Sequence, residues 1–179
     1  MPVMTAAAEP AEFRPNADEL LAHNARHAAE FDDHGLPVEP RRRLAVVACM
    51  DSRMDIFQML GLAHGEAHII RNAGGIVSDD VERSLVVSQL LLSTREIVLI
   101  HHTDCGLQKV DDTGFRQRLE REFGMLPSWA LDAFTDPYVD IRQSMLRIRH
   151  SPFIRYKDHV RGFVYRVEDG LLDEVTFEE

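Results

Sequence analysis

The chain has 179 residues, 45% of them hydrophobic, which suits one domain with a core of its own. Its formal net charge of −10 argues against a nucleic acid or an anionic membrane as partner, since either favours a basic face. No apolar run nears the roughly 20 residues that cross a bilayer, residues 1–10 lack the basic start and apolar centre of a secretory signal, and two cysteines without an export signal point to a reducing cytoplasm.

Residues 1–15, rich in Ala and Pro, read as a loose arm, leaving 16–179 as a single domain. Asn16 with Glu19 three residues on predicts a helix start, and Leu20, Leu21, Ala28 and Phe31 give that helix an apolar stripe suited to the outside of the domain or to a neighbour. His23, His27 and His34 fall among polar flanks and read as surface positions, not as a metal cluster. The run 44–48, β-branched at Val46 and Val47, predicts a buried strand. A short helix over 55–60 stopped by Gly61, a strand over 67–70 and a turn over 71–75 follow. Ser78 then reads as an N-cap, with Asp79, Asp80 and Glu82 in the first turn of a helix to about residue 93. Val81, Leu85, Val86, Leu90 and Leu92 form its expected core face. The run 96–100 is the next strand, and strand, helix, strand with short connections implies a parallel sheet.

Beyond this, 113–123 has charged helical character ended by Gly124, and 127–135 is an irregular connection in which Trp129 and Phe134 read as packing anchors. Asp136 and Pro137 start a helix through Tyr138, Ile141, Met145 and Ile148 that stops before Pro152. The tail reads as a strand over 162–167, a turn over 168–170 and a last strand over 171–177. The fold class is therefore α/β: a central, mostly parallel sheet flanked by helices, with an additional C-terminal edge strand or hairpin.

The chemistry concentrates where two strands end. Cys49, Met50, Asp51, Ser52 and Arg53 directly follow the first buried strand, so a thiol, a carboxylate and a guanidinium meet at the sheet edge where ligands gather in open α/β folds. The other cysteine, Cys105, follows the 96–100 strand inside His101, His102, Thr103, Asp104, Cys105 and Gly106. Thiolate and imidazole are preferred zinc ligands, and three protein ligands with one open position is the catalytic arrangement. Cys49, His102 and Cys105 supply three, and the chain has no third cysteine to close the site. Two thiolates and a neutral imidazole offset the charge of a divalent ion, which favours hydration or hydrolysis. Alternation along the strand points His101 away from His102.

The C-x-D-x-R pattern of Cys49, Asp51 and Arg53, followed by H-x-x-C-G at His102, Cys105 and Gly106, resembles the β-class carbonic anhydrases. Arg71, Asn72, Ala73, Gly74 and Gly75 between the two patterns match as well, so the resemblance is close over roughly residues 40–110 and architectural elsewhere. It implies one Zn2+ per chain, held by Cys49, His102 and Cys105, and reversible hydration of carbon dioxide to bicarbonate and a proton by attack of zinc-bound hydroxide. Asp51 would orient the hydroxide or join the metal as a fourth ligand, with Arg53 holding it off. Asn72, Gly74 and Gly75 would shape the active-site wall, and the chain would assemble as a homodimer or tetramer through its first helix and last strands. His101 departs from the family pattern, which commonly has glycine there. The same site suits a carbonyl sulfide or carbon disulfide hydrolase, and a noncatalytic zinc or redox protein is a third reading that leaves Asp51 and Arg53 without a task.

Overall fold

The structure is a computed structural model and describes residues 14–177. The expected arm lies outside the described residues except for its last two. The chain divides after Pro37 into two compact units. The first carries α1 (Ala17–Ala29), in which no residue is buried and Leu20 and Leu21 are 62% and 66% exposed. Asn16 occupies the N-cap position but its side chain makes no capping bond, so the expected cap is positional only. His23, His27 and His34 are exposed and join no cluster of metal-binding groups among the described residues.

The second unit runs β1 (Leu44–Cys49), α2 (Ile56–Leu60), β2 (Ala67–Asn72), α3 (Asp79–Leu90), β3 (Glu96–His102), α4 (Asp112–Phe123), α5 (Pro137–His150), β4 (Val160–Tyr165) and β5 (Leu172–Val175). Helix starts are fixed by short polar side chains that take up free backbone N–H groups. Asp55 accepts from Gln58, Ser78 from Val81, and Asp136 from Tyr138 and Val139 with Pro137 just inside α5.

The sheet order is β2-β1-β3-β4-β5, with β1 to β4 mutually parallel and β5 antiparallel to β4. The chain leaves β1 on one side for β2 and returns on its other side as β3. The strand order therefore reverses at β1, and a crevice opens at the C-terminal ends of β1 and β3. Those ends are Cys49 and His102.

Alternation buries both faces of the central strands. Ala45, Val47, Ile97 and Leu99 pack against Val81 and Leu85 of α3 and Ile141, Met145 and Ile148 of α5. Leu44, Val46, Ala48, Val98 and Ile100 pack against Met54, Ile56, Ile76 and Leu107. A side chain at Gly162 of β4 would collide with Met145, so α5 sits directly on the strand backbone there.

Some expectations need correcting. β2 continues to Asn72, so Arg71 and Asn72 pair with Ala48 and Cys49 instead of opening the turn. Leu90, assigned to the core, is 42% exposed because the inward positions of the last turn of α3 are taken by Ser88 and Gln89, both 3% exposed. Phe134 is buried, but Trp129 is 55% exposed and anchors nothing. The hairpin is shifted and shorter than its apolar pattern suggests, at Val160–Tyr165 and Leu172–Val175. No helix among the described residues is long and apolar enough to cross a membrane.

Candidate metal centre and active site

Two loops meet at the crevice. The first leaves β1 at Cys49, where Met50 N–H donates to the Asn72 carbonyl at 2.8 Å. Arg71 clamps this loop, with Nε to the Cys49 carbonyl at 2.9 Å and Nη2 to the Asp51 carbonyl at 2.7 Å. Behind it, Gly75 sits in the left-handed region at φ +72, and a Cβ there would lie 2.9 Å from Cys49 N and 3.0 Å from both Ala48 C and Ile100 O. Only glycine allows the 73–75 turn to seat against the two strand ends. Gly74, at φ +78, likewise leaves no room against Leu107 and Ile76. Asn72 directs Nδ2 to the Ile76 carbonyl at 2.8 Å, bracing that turn, while its Oδ1 is buried without a partner.

The second loop leaves β3 at His102. Thr103 ties it to the hairpin: its N–H donates to the Tyr165 carbonyl at 2.9 Å and its hydroxyl to Glu168. Asp104 takes a left-handed φ of +54, which turns the chain so that Cys105 faces back. Cys105 then caps a short turn, its N–H donating to Gln108 Oε1 at 2.8 Å, and Gln108 reaches the Thr135 carbonyl at 3.3 Å.

The donor atoms of Cys49, His102 and Cys105 converge within 4.8 Å of one another, all three residues buried. His102 is fully enclosed; its Nδ1–H donates to the Thr103 carbonyl at 2.8 Å, which fixes the tautomer and leaves the Nε2 lone pair free. That Nε2 has no hydrogen-bond partner, an arrangement that is costly for a buried polar atom unless something else satisfies it. Two sulfurs and one open imidazole nitrogen fit a soft divalent cation.

The protonation pattern agrees. The Cys105 thiol beside Cys49 holds Cys49 well below the ordinary thiol range, and the same contact, with burial, pushes Cys105 up. One thiolate thus forms readily and a second needs a positive ion beside it. Burial pulls the His102 imidazole down, but the neighbouring Cys49 sulfur outweighs it and its pKa lies above the usual value.

Asp51 stands at the rim, Oδ2 3.7 Å from His102 Nε2, and both its oxygens are occupied by Arg53. Nε donates to Oδ1 at 2.9 Å and Nη2 to Oδ2 at 2.8 Å. This two-pronged pair keeps the Asp51 carboxyl well below the usual carboxylate range. Arg53 in turn donates to Asp104, Nη1 to Oδ2 at 2.9 Å and Nη2 to the carbonyl at 3.1 Å, and Lys109 also pairs with Asp104. His101 lies on the opposite face, enclosed, with Nε2 2.7 Å from Asp140 Oδ2 of α5 and its ring stacked on Phe134.

Arg71, Asp104 and Gln108 were not singled out as site residues from the sequence. Arg71 lies inside the quoted Arg-Asn-Ala-Gly-Gly stretch, whereas Asp104 and Gln108 give no signal until the two loops are seen to touch.

A parallel sheet whose switch point gathers two thiols, an imidazole and a clamped carboxylate defines an α/β protein of the metal-dependent kind. The family model described as carbonic anhydrase matches residues 44–135. The chain belongs to the β-class carbonic anhydrase family. It is 48% identical over 159 residues to Beta-carbonic anhydrase 1 of Mycobacterium tuberculosis, covering 89% of this chain and 97% of that one. The solved carbonic anhydrase of Streptococcus mutans superposes with a TM-score of 0.83 at 39% identity, covering 92% of this chain and 100% of its own. A more distant relative, the carbon disulfide hydrolase of Acidithiobacillus thiooxidans, is 32% identical over 151 residues, 73% of this chain and 76% of that one.

Proposed function

We propose that the protein hydrates carbon dioxide reversibly to bicarbonate and a proton, with Zn2+ held by Cys49, His102 and Cys105. The observation that carries this reading is the orphaned His102 Nε2, within 4.8 Å of both cysteine sulfurs and 3.7 Å from Asp51. Zinc held there supplies a Lewis acid that brings the pKa of a bound water down to about 7.

The chain's own groups do the rest. Asp51, ionised at neutral pH, is an acceptor at the open side of the donor set and orients the O–H of the attacking water. Arg53 occupies both Asp51 oxygens and keeps the carboxylate off the metal position. The Thr103 carbonyl accepts from Nδ1–H and so leaves Nε2 as the His102 atom that faces the metal position. Asn72 through its side-chain amide, and Gly74 and Gly75 through their backbone, seat the 73–75 turn under the Cys49 loop. A noncatalytic zinc protein needs none of the Asp51, Arg53 and Asp104 arrangement, which supports catalysis. Identity of 48% over 89% of this chain to a β-carbonic anhydrase, against 37% over 90% to a carbon disulfide hydrolase, favours carbon dioxide over the sulfur substrates.

We propose further that the chain works as a homodimer or tetramer in the cytoplasm, where a reducing setting keeps both thiols available. The exposed Leu20 and Leu21 of α1 support assembly, as does an apolar hollow of about 480 Å³ lined by Leu44, Leu60, Leu62, Val98, Phe163 and Leu172, among others. A monodisperse monomer in light scattering at working concentration would count against it.

The test of function is stopped-flow carbon dioxide hydration on protein of verified zinc content, from slightly acid to alkaline pH. Turnover that rises with pH supports the reading. No turnover with one zinc per chain moves the substrate to carbonyl sulfide or carbon disulfide.

A further inference from the structure

A second constellation lies at the other edge of the sheet. Arg43 immediately precedes β1, Arg95 immediately precedes β3, and Arg155 lies on the segment leading from α5 into β4. Parallel pairing of β1 with β3 and of β3 with β4 brings these strand starts side by side. At about 3.3 Å per residue, the strands separate them from Cys49 and His102 by roughly 20–23 Å. All three arginines line one cavity of about 280 Å³, together with Gln89, Ser93 and Tyr156.

The frame of this cavity is fixed by backbone bonds, a buried glutamine and one stacked guanidinium. Arg43 and Ser93 both adopt left-handed backbone, φ 53 and 64, which is strained for residues with a side chain. The Arg43 carbonyl accepts from Arg95 N at 2.7 Å and from Glu96 N at 3.2 Å. Gln89, buried to 3% exposure, accepts at Oε1 from Arg155 N and Tyr156 N, each at 3.0 Å, and donates from Nε2 to the Tyr156 carbonyl at 2.8 Å. Arg95 stacks its guanidinium over the Tyr156 ring at 3.6 Å, which holds the plane and leaves the N–H edge open.

Among the described residues none of the three guanidiniums forms an ion pair, although Arg41 and Arg42 next in sequence both reach Glu66. Three uncompensated cations at one cavity are unexpected on a chain of net charge −10. No carboxylate among the described residues lines this cavity; Asp158 lines an adjoining one of about 250 Å³ that shares Arg43, Arg95 and Tyr156.

We infer that this cavity binds a multivalent oxyanion of the phosphate type, held between the N–H edges of Arg43, Arg95 and Arg155. Guanidinium forks match tetrahedral oxyanions in two-pronged fashion. A monovalent anion such as bicarbonate would leave most of the positive charge unneutralised, so a di- or trivalent one is preferred. The site is separate from the metal centre and its occupancy does not require the metal.

The test is an amide-resonance titration of the zinc-loaded protein with inorganic phosphate at low and at physiological ionic strength. Saturable shifts are expected at Ser93, Arg95 and Tyr156, weakening as salt rises, with no comparable saturable shift from bicarbonate. Arg43→Gln and Arg155→Gln should each weaken binding at least tenfold while phosphate-free carbon dioxide hydration stays within twofold of the parent; Arg53→Gln should leave binding intact. No saturable shift at low salt overturns the inference, as does binding that survives the Arg43→Gln and Arg155→Gln double variant. Shifts confined to Thr103 and Asp104 overturn it too, since they place the anion at the metal site.

Discussion

Arg53 on the first loop donates from Nη1 to Asp104 Oδ2 on the second at 2.9 Å, so the residue that clamps Asp51 is itself anchored across the crevice. The guanidinium is thereby held from two sides, and its orientation toward Asp51 depends on a group 51 residues away on the loop that carries His102 and Cys105. Asp104→Ala removes the outer anchor but leaves the pair with Asp51. We expect turnover to fall severalfold, with zinc content still about one per chain. Arg53→Ala removes the clamp itself and should cost at least tenfold, about 1.4 kcal/mol of barrier. Equal losses in the two variants would show that Asp104 and not the clamp sets the geometry.

Asp51 itself is outside the donor set, so Asp51→Ala should leave zinc bound while removing most turnover. Unchanged turnover would end its proposed orienting role.

The same pair fixes a pH dependence. The Asp51 carboxyl is held below its ordinary value of about 3.9 by the two-pronged bond from Arg53. A carboxyl lowered in the folded state contributes stability that is fully present above its unfolded pKa and is lost as pH falls through the lowered folded one. The Asp51 carboxyl carbon should therefore show no titration shift between pH 7 and about 4 by NMR. In Arg53→Ala its midpoint should move upward. An Asp51 resonance that titrates near the ordinary value in the parent protein would contradict the clamp.

Glycine at 75 is required by contact as well as by backbone. A Cβ would lie 2.9 Å from Cys49 N, on top of the strain of φ +72. Gly75→Ala should cost about 2–5 kcal/mol, combining roughly 1–2 for the left-handed conformation with about 1–3 for overpacking. Gly61, at φ +61 with nothing within 4 Å of its Cβ position, isolates the first contribution. Gly61→Ala should cost only about 1–2 kcal/mol. Comparable losses in chemical denaturation of the two variants would mean that the 73–75 turn can shift away from the strand ends.

How far the sequence carried can be read from single residues. The strand beginning at Leu44, the N-caps Ser78 and Asp136 and the stop at Gly61 were legible because each is a local rule of side-chain branching, capping or left-handed backbone. The donor trio was legible because two cysteines and a histidine follow apolar runs. What was not legible depends on contacts between distant segments. Arg71 looked like a turn residue until β2 was seen to pair through Asn72 with Cys49. Asp104 became visible only when the two loops met, and Trp129, hydrophobic in type, is exposed because nothing among the described residues covers it. His101 was expected to point away from His102, and its bond to Asp140 supplied the partner that alternation alone cannot name.

Metal removal is the most direct check on the donor trio. In the folded chain His102 Nε2 is enclosed without a partner, and the Cys49 contact, with burial, pushes the Cys105 thiol up. The unpartnered Nε2 is unfavourable without a cation, and a cation stabilises the Cys105 thiolate that the apo site disfavours, so binding should stabilise the fold by mass action, about 4 kcal/mol at a thousandfold excess over Kd. Chelation should lower Tm by several degrees, and adding Zn2+ back should restore it. Cys105→Ser should cut zinc content well below one per chain and abolish the chelator-dependent shift, because a serine hydroxyl does not replace a thiolate. The parent shift should shrink as pH falls, since protons compete with the metal for Cys49, His102 and Cys105. A Tm indifferent to chelator in protein carrying one zinc per chain would mean that the ion sits elsewhere.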